Sequence, residues 1–180
     1  MNTVRADKIN KKGRARRDKF IRTKRKLSDG QGGYLKPDLD LNPEFLRAFK
    51  MMENTSKNVF VTGKAGSGKS TLLTYFRNKT KKKIVVLAPT GVAALNVRGQ
   101  TIHSFFGFKP NITLGRVKKL TGSSQDNKIY KEIDAIVIDE ISMVRSDLLD
   151  CVDSFMRLNG RDSQLPFGGA QMIFIGDLYQ

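Results

Sequence analysis

Residues 58–70 read "NVFVTGKAGSGKS", an apolar β-type run that ends in glycine and passes into the pattern G-x-x-x-x-G-K-[ST]. No other stretch constrains the fold so tightly. A strand must deliver this loop and a helix must leave from it, as in a layered α/β arrangement. The reason is anion binding. Gly63, Gly66 and Gly68 let the backbone bend, so that successive N–H groups from Gly63, Lys64, Ala65, Gly66, Ser67 and Gly68 on to Thr71 turn inward on phosphate oxygens. The following helix adds its positive N-terminal end. Lys69 brings a point charge to β- and γ-phosphates, and the Ser70 hydroxyl is suited to ligate Mg²⁺. The plain alternative, a glycine-rich turn without function, does not explain the placement between a strand run and a helical run.

The remaining sequence fits that demand. Three further apolar runs, "KIVVLAP" (83–89), "AIVID" (135–139) and "QMIFIGD" (171–177), are apolar throughout instead of alternating. Such runs mark parallel strands covered on both faces. Between them lie helical patterns. "STLLTYFRN" aligns Leu72, Leu73 and Phe76, and "SDLLDCVDSFMRL" aligns Leu148, Leu149, Val152, Phe155 and Met156, with Ser146 as its expected cap. "LNPEFLRAFKMM" has Asn42 at the cap, Pro43 at the first helical position, and Phe45, Phe49 and Met52 on one face. The expectation is an α/β fold of the P-loop type: an open parallel sheet of right-handed βαβ units, flanked by helices. The polar stretch from Lys109 to Glu132 is expected to carry a loop tip at "GSSQDN" (122–127).

At 180 residues there is room for one domain with a sizeable core. No stretch approaches the ~20 apolar residues of a membrane span, and the N-terminus has no apolar secretory core. The single cysteine, Cys151, cannot pair internally, which allows a reducing compartment. The net charge of +16 is uneven. Residues 1–33 hold twelve Lys/Arg against Asp7, Asp18 and Asp29, a net +9. This basic tail has few apolar residues and is expected to be disordered, leaving 34–180 as the folded part. Its charge would attract a polyphosphate chain by counterion release, or simply solvate the protein. A mitochondrial presequence is disfavoured, because the tail is rich in Lys/Arg and not in serine.

A triphosphate site needs a second, metal-facing element, and "AIVIDEIS" supplies one. Four apolar residues bring the chain through the core, and Asp139 emerges at the carboxyl end of the strand, where ligands sit in open α/β sheets. Asp139 is placed to hold Mg²⁺ and Glu140 to orient or deprotonate an attacking water. This carboxylate pair favours hydrolysis over transfer to a second substrate. A magnesium-bound nucleoside triphosphate is therefore the expected ligand.

In order along residues 41–180 stand "VFVTGKAGSGKSTLL", "LAPTGVAALNVRGQTIHSFF", "IVIDEISMVRSDLLDCVD" and "FGGAQMIFIGDLYQ". Together these resemble the first RecA-like domain of superfamily 1B DNA helicases, the Pif-type and RecD-like 5′→3′ enzymes. The resemblance implies an ATP-dependent DNA helicase ATPase domain, with roles in DNA repair, recombination or replication. Its partner would be single-stranded DNA, with no membrane and no evident obligate protein partner. Its location would be intracellular: cytoplasm and nucleoid, or nucleus or mitochondrion in a eukaryote. It also implies that Thr90 and Gly91 contact the DNA backbone, that His103 lies near the DNA path, and that Gln180 touches the γ-phosphate. His103 could equally fill a packed turn, and Phe105 and Phe106 could stack on bases or pack in the core. The family's motor has a second RecA-like domain that supplies an arginine, so residues 1–180 alone are expected to bind Mg·ATP, hydrolyse it poorly and unwind nothing. One departure concerns the helix before the loop. It lacks the glutamine that reads adenine in the family, and Phe45 and Leu46 stand near its place. Two other readings remain open: another P-loop NTPase such as a nucleotide kinase, and a nucleic-acid-binding module with a vestigial nucleotide pocket.

Overall fold

Each of the four apolar runs forms a parallel strand, and a fifth, two-residue strand joins them. The computed structural model describes residues 42–121 and 125–177. The strands are β1 (Val59–Thr62), β2 (Ile84–Ala88), β3 (Gln100–Thr101), β4 (Ala135–Ile138) and β5 (Gln171–Gly176), in the order β1-β5-β4-β2-β3. All pairs are parallel, with Val59 opposite Ile173, Ile173 opposite Val137, and Val137 opposite Val86. β5 therefore lies between the strand that feeds the glycine loop and the strand that feeds Asp139.

The helices are α1 (Pro43–Asn54), α2 (Lys69–Lys79), α3 (Gly91–Asn96), α4 (Ile102–Phe106), α5 (Gln125–Glu132) and α6 (Ser146–Asn159). Side chains that alternate along the strands divide the core in two. Ile84, Val86, Val137, Ile173 and Ile175 meet Met52 of α1 and Leu72, Leu73 and Phe76 of α2 on one face. Val85, Leu87, Ile136, Ile138 and Met172 meet Ile102, Phe105 and Phe106 of α4, Tyr130 of α5, and Val152, Phe155 and Met156 of α6 on the other. A strand buried on both faces must be apolar at every position, as all five residues of β2 are.

The α1 cap forms as expected: Asn42 Oδ1 accepts from the Phe45 N–H at 2.7 Å, with Pro43 in the first turn. The α6 cap does not. Ser146 is the first helical residue and Arg145 takes the cap position without a side-chain bond, while Asp147 Oδ1 accepts its neighbour Leu148's N–H at 2.9 Å. The expected loop tip is corrected as well, since Gln125–Asn127 belong to α5. That helix is held by Tyr130, buried among Phe105, Phe106 and Phe155, with its hydroxyl donating to the Phe105 carbonyl at 3.0 Å. Phe105 and Phe106 are themselves buried, so they serve the core and not base stacking.

No helix among the described residues is long and apolar enough to cross a membrane. The tail at 1–33, residues 34–41 and Gln180 lie outside the described residues.

Candidate nucleotide site

The strand order sets the spacing of the site. Two parallel steps separate β1 from β4, roughly 10 Å at ~4.8 Å per strand, with the end of β5 between them. A cavity of about 290 Å³ occupies this place. It is lined by Ala65, Gly66, Gly68, Lys69, Ser70 and Thr71 from the loop and α2, by Glu140 after β4, and by Asp177 after β5. Three strand ends thus converge at one edge of the sheet, on the carboxyl side.

Local conformation explains how. Gly66 and Gly68 have φ of 80° and 89°, a left-handed region that most L side chains avoid. Gly68 in this conformation is the cap residue of α2, and no side chain there accepts from the first-turn amides. Those amides remain directed at the cavity, beside the positive end of an eleven-residue helix. Gly63 and Lys64 serve differently: their carbonyls accept from Lys69 Nζ, at 3.0 Å for Lys64. The lysine is folded back along its own loop, on the wall of the cavity.

At the end of β4, the Asp139 N–H donates to the Leu87 carbonyl at 2.9 Å, continuing the sheet for one residue. Glu140 then adopts φ 53° and ψ 46°. This left-handed conformation costs an L residue roughly 1–2 kcal/mol, and strain of that kind gathers at functional sites. Its effect is to turn the chain so that Glu140 faces the cavity while Ile141–Met143 coil into a 3₁₀ turn. Burial raises the Asp139 carboxyl above the usual aspartate range, and the adjacent Glu140 charge raises it further, against the pull of the Glu140 amide and the Lys69 ammonium.

That raised carboxyl tests the fit of Mg²⁺. A half-buried aspartate beside a second acid is a negative pair that a hard cation would relieve. Among the described residues no cluster of three or more His, Cys, Asp or Glu is arranged as a metal cage. Mg²⁺ does not need one, since it is held by one or two carboxylates, water and substrate phosphates. Ser70 lines the cavity and is suited to that limited role, whereas Asp139 is not among the lining residues and stands directly behind Glu140, close enough to feel the Lys69 charge.

Asp177 was missed as a site residue in the sequence. It is 6% exposed and lines the same cavity. The signal was available, because "IFIGD" ends a buried run in an acid just as "AIVIDE" does. Thr90, Gly91 and His103 are not part of the cavity. Thr90 and Gly91 are exposed at the end of β2, where Thr90 Oγ1 accepts the Ala93 N–H at 3.2 Å and caps α3. His103 is partly buried on α4, and its carbonyl accepts the Phe108 N–H at 2.9 Å.

The PIF1-like helicase family model matches residues 42–180. The ATP-dependent DNA helicase PIF1 of Saccharomyces cerevisiae is 39% identical over 165 residues, covering 86% of this chain and 18% of the yeast protein. The ATP-dependent DNA helicase Pif1 of Bdellovibrio bacteriovorus is 35% identical over 161 residues, covering 86% of this chain and 36% of that protein. Among solved structures, Bacteroides Pif1 helicase matches with a TM-score of 0.72 at 40% identity, over 81% of this chain and 34% of that one. The Bacteroides helicase in complex with ADP-AlF3 and single-stranded DNA matches with 0.71 at 40% identity, over 79% and 33%. The present chain therefore spans between a fifth and about a third of these relatives. It belongs to the PIF1-like helicase family, and its parallel sheet is the RecA-like α/β fold of those structures.

Proposed function

From this family membership and the geometry above, we propose that residues 42–180 form the nucleotide-binding half of an ATP-dependent DNA helicase motor. It binds Mg·ATP in the cavity between β1, β5 and β4 and hydrolyses it in response to single-stranded DNA. The observation that carries the reading is the convergence of Gly66, Gly68, Lys69, Ser70 and Thr71 with Glu140 and Asp177 on one cavity.

In this reading the amides of Ala65 to Thr71 and the N-terminal end of α2 bind the phosphates. Lys69 releases its own loop carbonyls and turns to the β/γ-phosphates, adding a charge where negative charge spreads during phosphoryl transfer. Ser70 and Asp139 would hold the Mg²⁺, which would supply charge neutralisation at the phosphate oxygens. Glu140 orients the attacking water and accepts its proton. Gln180 links the γ-phosphate to movement on DNA. Thr90, Gly91 and His103 supply the DNA contacts, and the cations of residues 1–33 add attraction that does not depend on sequence. The Phe45 ring packs edge-on against Tyr75 at a centroid distance of 5.4 Å, so the α1 face that lacks the expected glutamine is occupied by aromatic packing. Adenine preference should accordingly be modest.

The test is nucleotide turnover by the protein with and without single-stranded DNA, in the wild type and in Lys69→Ala. DNA-stimulated, Mg²⁺-dependent hydrolysis that disappears in the variant supports the proposal. Salt-sensitive DNA binding without nucleotide affinity would contradict it and leave a binding module. Deleting residues 1–33 is expected to weaken DNA binding at low salt and leave nucleotide affinity unchanged.

A further inference from the structure

Glu140 and Asp177 reach the cavity from different strands, and the point where the two loops touch is Gly176. A methyl group built at Gly176 would lie 2.9 Å from Ile141 Cγ2, 3.2 Å from the Ile141 backbone nitrogen and 3.4 Å from that of Ser142. The first distance is closer than a methyl group tolerates without a shift, and the second is tight against rigid backbone. The residue that would be displaced follows Glu140 directly, and the displaced segment is the turn that sets Glu140's left-handed conformation. That turn is closed by the Met143 N–H to the Glu140 carbonyl at 3.1 Å and the Val144 N–H to the Ile141 carbonyl at 2.9 Å. Gly176 has an ordinary backbone conformation, so its lack of a side chain is a matter of space and not of φ.

We propose that Gly176 is a positioning residue: its bare backbone is the seat on which the Ile141–Met143 turn rests, and this seat holds Glu140 against the nucleotide. The inference deepens the hydrolase reading and rests on it for its kinetic part. It separates the residue's role from phosphate binding, because the atoms nearest a side chain at 176 belong to Ile141 and Ser142 and none of them to the loop at 63–71. A side chain at 176 should leave nucleotide affinity intact and slow the chemical step. Displacing a catalytic group by about 1 Å can cost on the order of 100-fold. The tightest of the three contacts is a side-chain methyl, so shortening Ile141 should recover much of the loss.

The experiment compares Gly176→Ala, Ile141→Ala and the double variant in the full chain, with three readouts. These are Mg·ADP affinity, single-turnover ATP hydrolysis and amide hydrogen exchange at Met143 and Val144 without nucleotide. Gly176→Ala is expected to bind Mg·ADP within about twofold of wild type, hydrolyse about 10- to 100-fold more slowly and exchange faster at both amides. In the Ile141→Ala background the same substitution should change hydrolysis less than about threefold and leave exchange unaltered. Equal losses in both backgrounds would overturn the proposal, as would unfolding in both, since residue 176 would then serve the sheet as a whole. Wild-type exchange in Gly176→Ala would overturn it too, whatever the kinetics. If the wild type neither binds Mg·ADP nor hydrolyses ATP, the hydrolase reading fails, and the exchange comparison still decides the seat.

Discussion

The two ends of the sheet solve opposite problems. At the amino end, polar groups close on one another. Lys82 Nζ donates to the carbonyls of Met52 and Thr55, each at 2.6 Å, which caps the last turn of α1, and to Gln171 Oε1 at 2.5 Å. Gln171 Nε2 donates to the Lys57 carbonyl at 2.7 Å, and the Met172 N–H donates to Asn58 Oδ1 at 2.9 Å. Asp134 accepts from the Lys83 N–H at 2.8 Å and from Arg161 at 3.0 Å. Burial draws the Lys82 ammonium below the ordinary lysine range, while Glu53 and Asp134 pull it back up. At the carboxyl end, two glycines and a glutamate hold left-handed backbone, an acid sits above its usual range, and helical amides face an open cavity. One end is satisfied from within and holds the fold. The other is left incomplete in a way that a charged ligand would complete. Left-handed backbone also occurs away from the site, at Arg98 and Phe167; what marks function at the carboxyl end is its combination with a cavity and a raised acid.

Substitutions can test this division. The largest effect is expected from Lys69→Ala, which should lower turnover by about 10²- to 10³-fold and barely move the melting temperature. A melting shift as large as that of an amino-end variant would break the comparison. Lys82→Met should do the reverse. Losing three charged hydrogen bonds at the closed end is expected to cost about 1–3 kcal/mol in chemical denaturation, with Mg·ADP affinity within about twofold. Glu140→Gly removes left-handed strain and should stabilise the protein by about 1 kcal/mol while abolishing hydrolysis, both readable on one preparation. The smallest effect concerns Asp139. Because its folded carboxyl titrates above the unfolded one, the folded state holds more protons between the two values. The Asp139 contribution to stability therefore falls as pH rises from about 4. Asp139→Asn should flatten that slope and raise the nucleotide-free melting temperature at neutral pH by about 1–4 °C. A lower melting temperature would show that the carboxylate has a stabilising partner.

What was legible in the sequence follows the same physics. The apolar runs announced four strands; burial on both faces accounts for β2, β4 and β5, while β1 lies at the sheet edge with Phe60 exposed and was announced by the loop at 63–70 that it feeds. β3 left no such trace. Gln100–Thr101 pair with the end of β2, Leu87 opposite Gln100 and Ala88 opposite Thr101, and two residues carry no periodicity to read. α5 was hidden because "QDNKIYKE" carries just two apolar residues, Ile129 and Tyr130, and its place is decided by the Tyr130 ring in the opposite core. At the site, Asp139 and Glu140 stood out as an acid pair. Asp177 showed the same local signal, an acid closing a buried run, but its place beside the glycine loop depends on β5 lying between β1 and β4, and strand order is not written in any local pattern.

In the proposed motor, the two acid-bearing strand ends and the glycine loop form one receptor for a magnesium-bound triphosphate. The most direct measurement is an amide NMR titration with a non-hydrolysable ATP analogue and Mg²⁺. The predicted result is a set of shifts confined to residues 63–71, 139–142 and 176–177, dependent on Mg²⁺ at the last two groups, with Lys82 and Gln171 unmoved. Shifts at the loop without any response at 139–142 or 176–177, or no shifts at all, would contradict it.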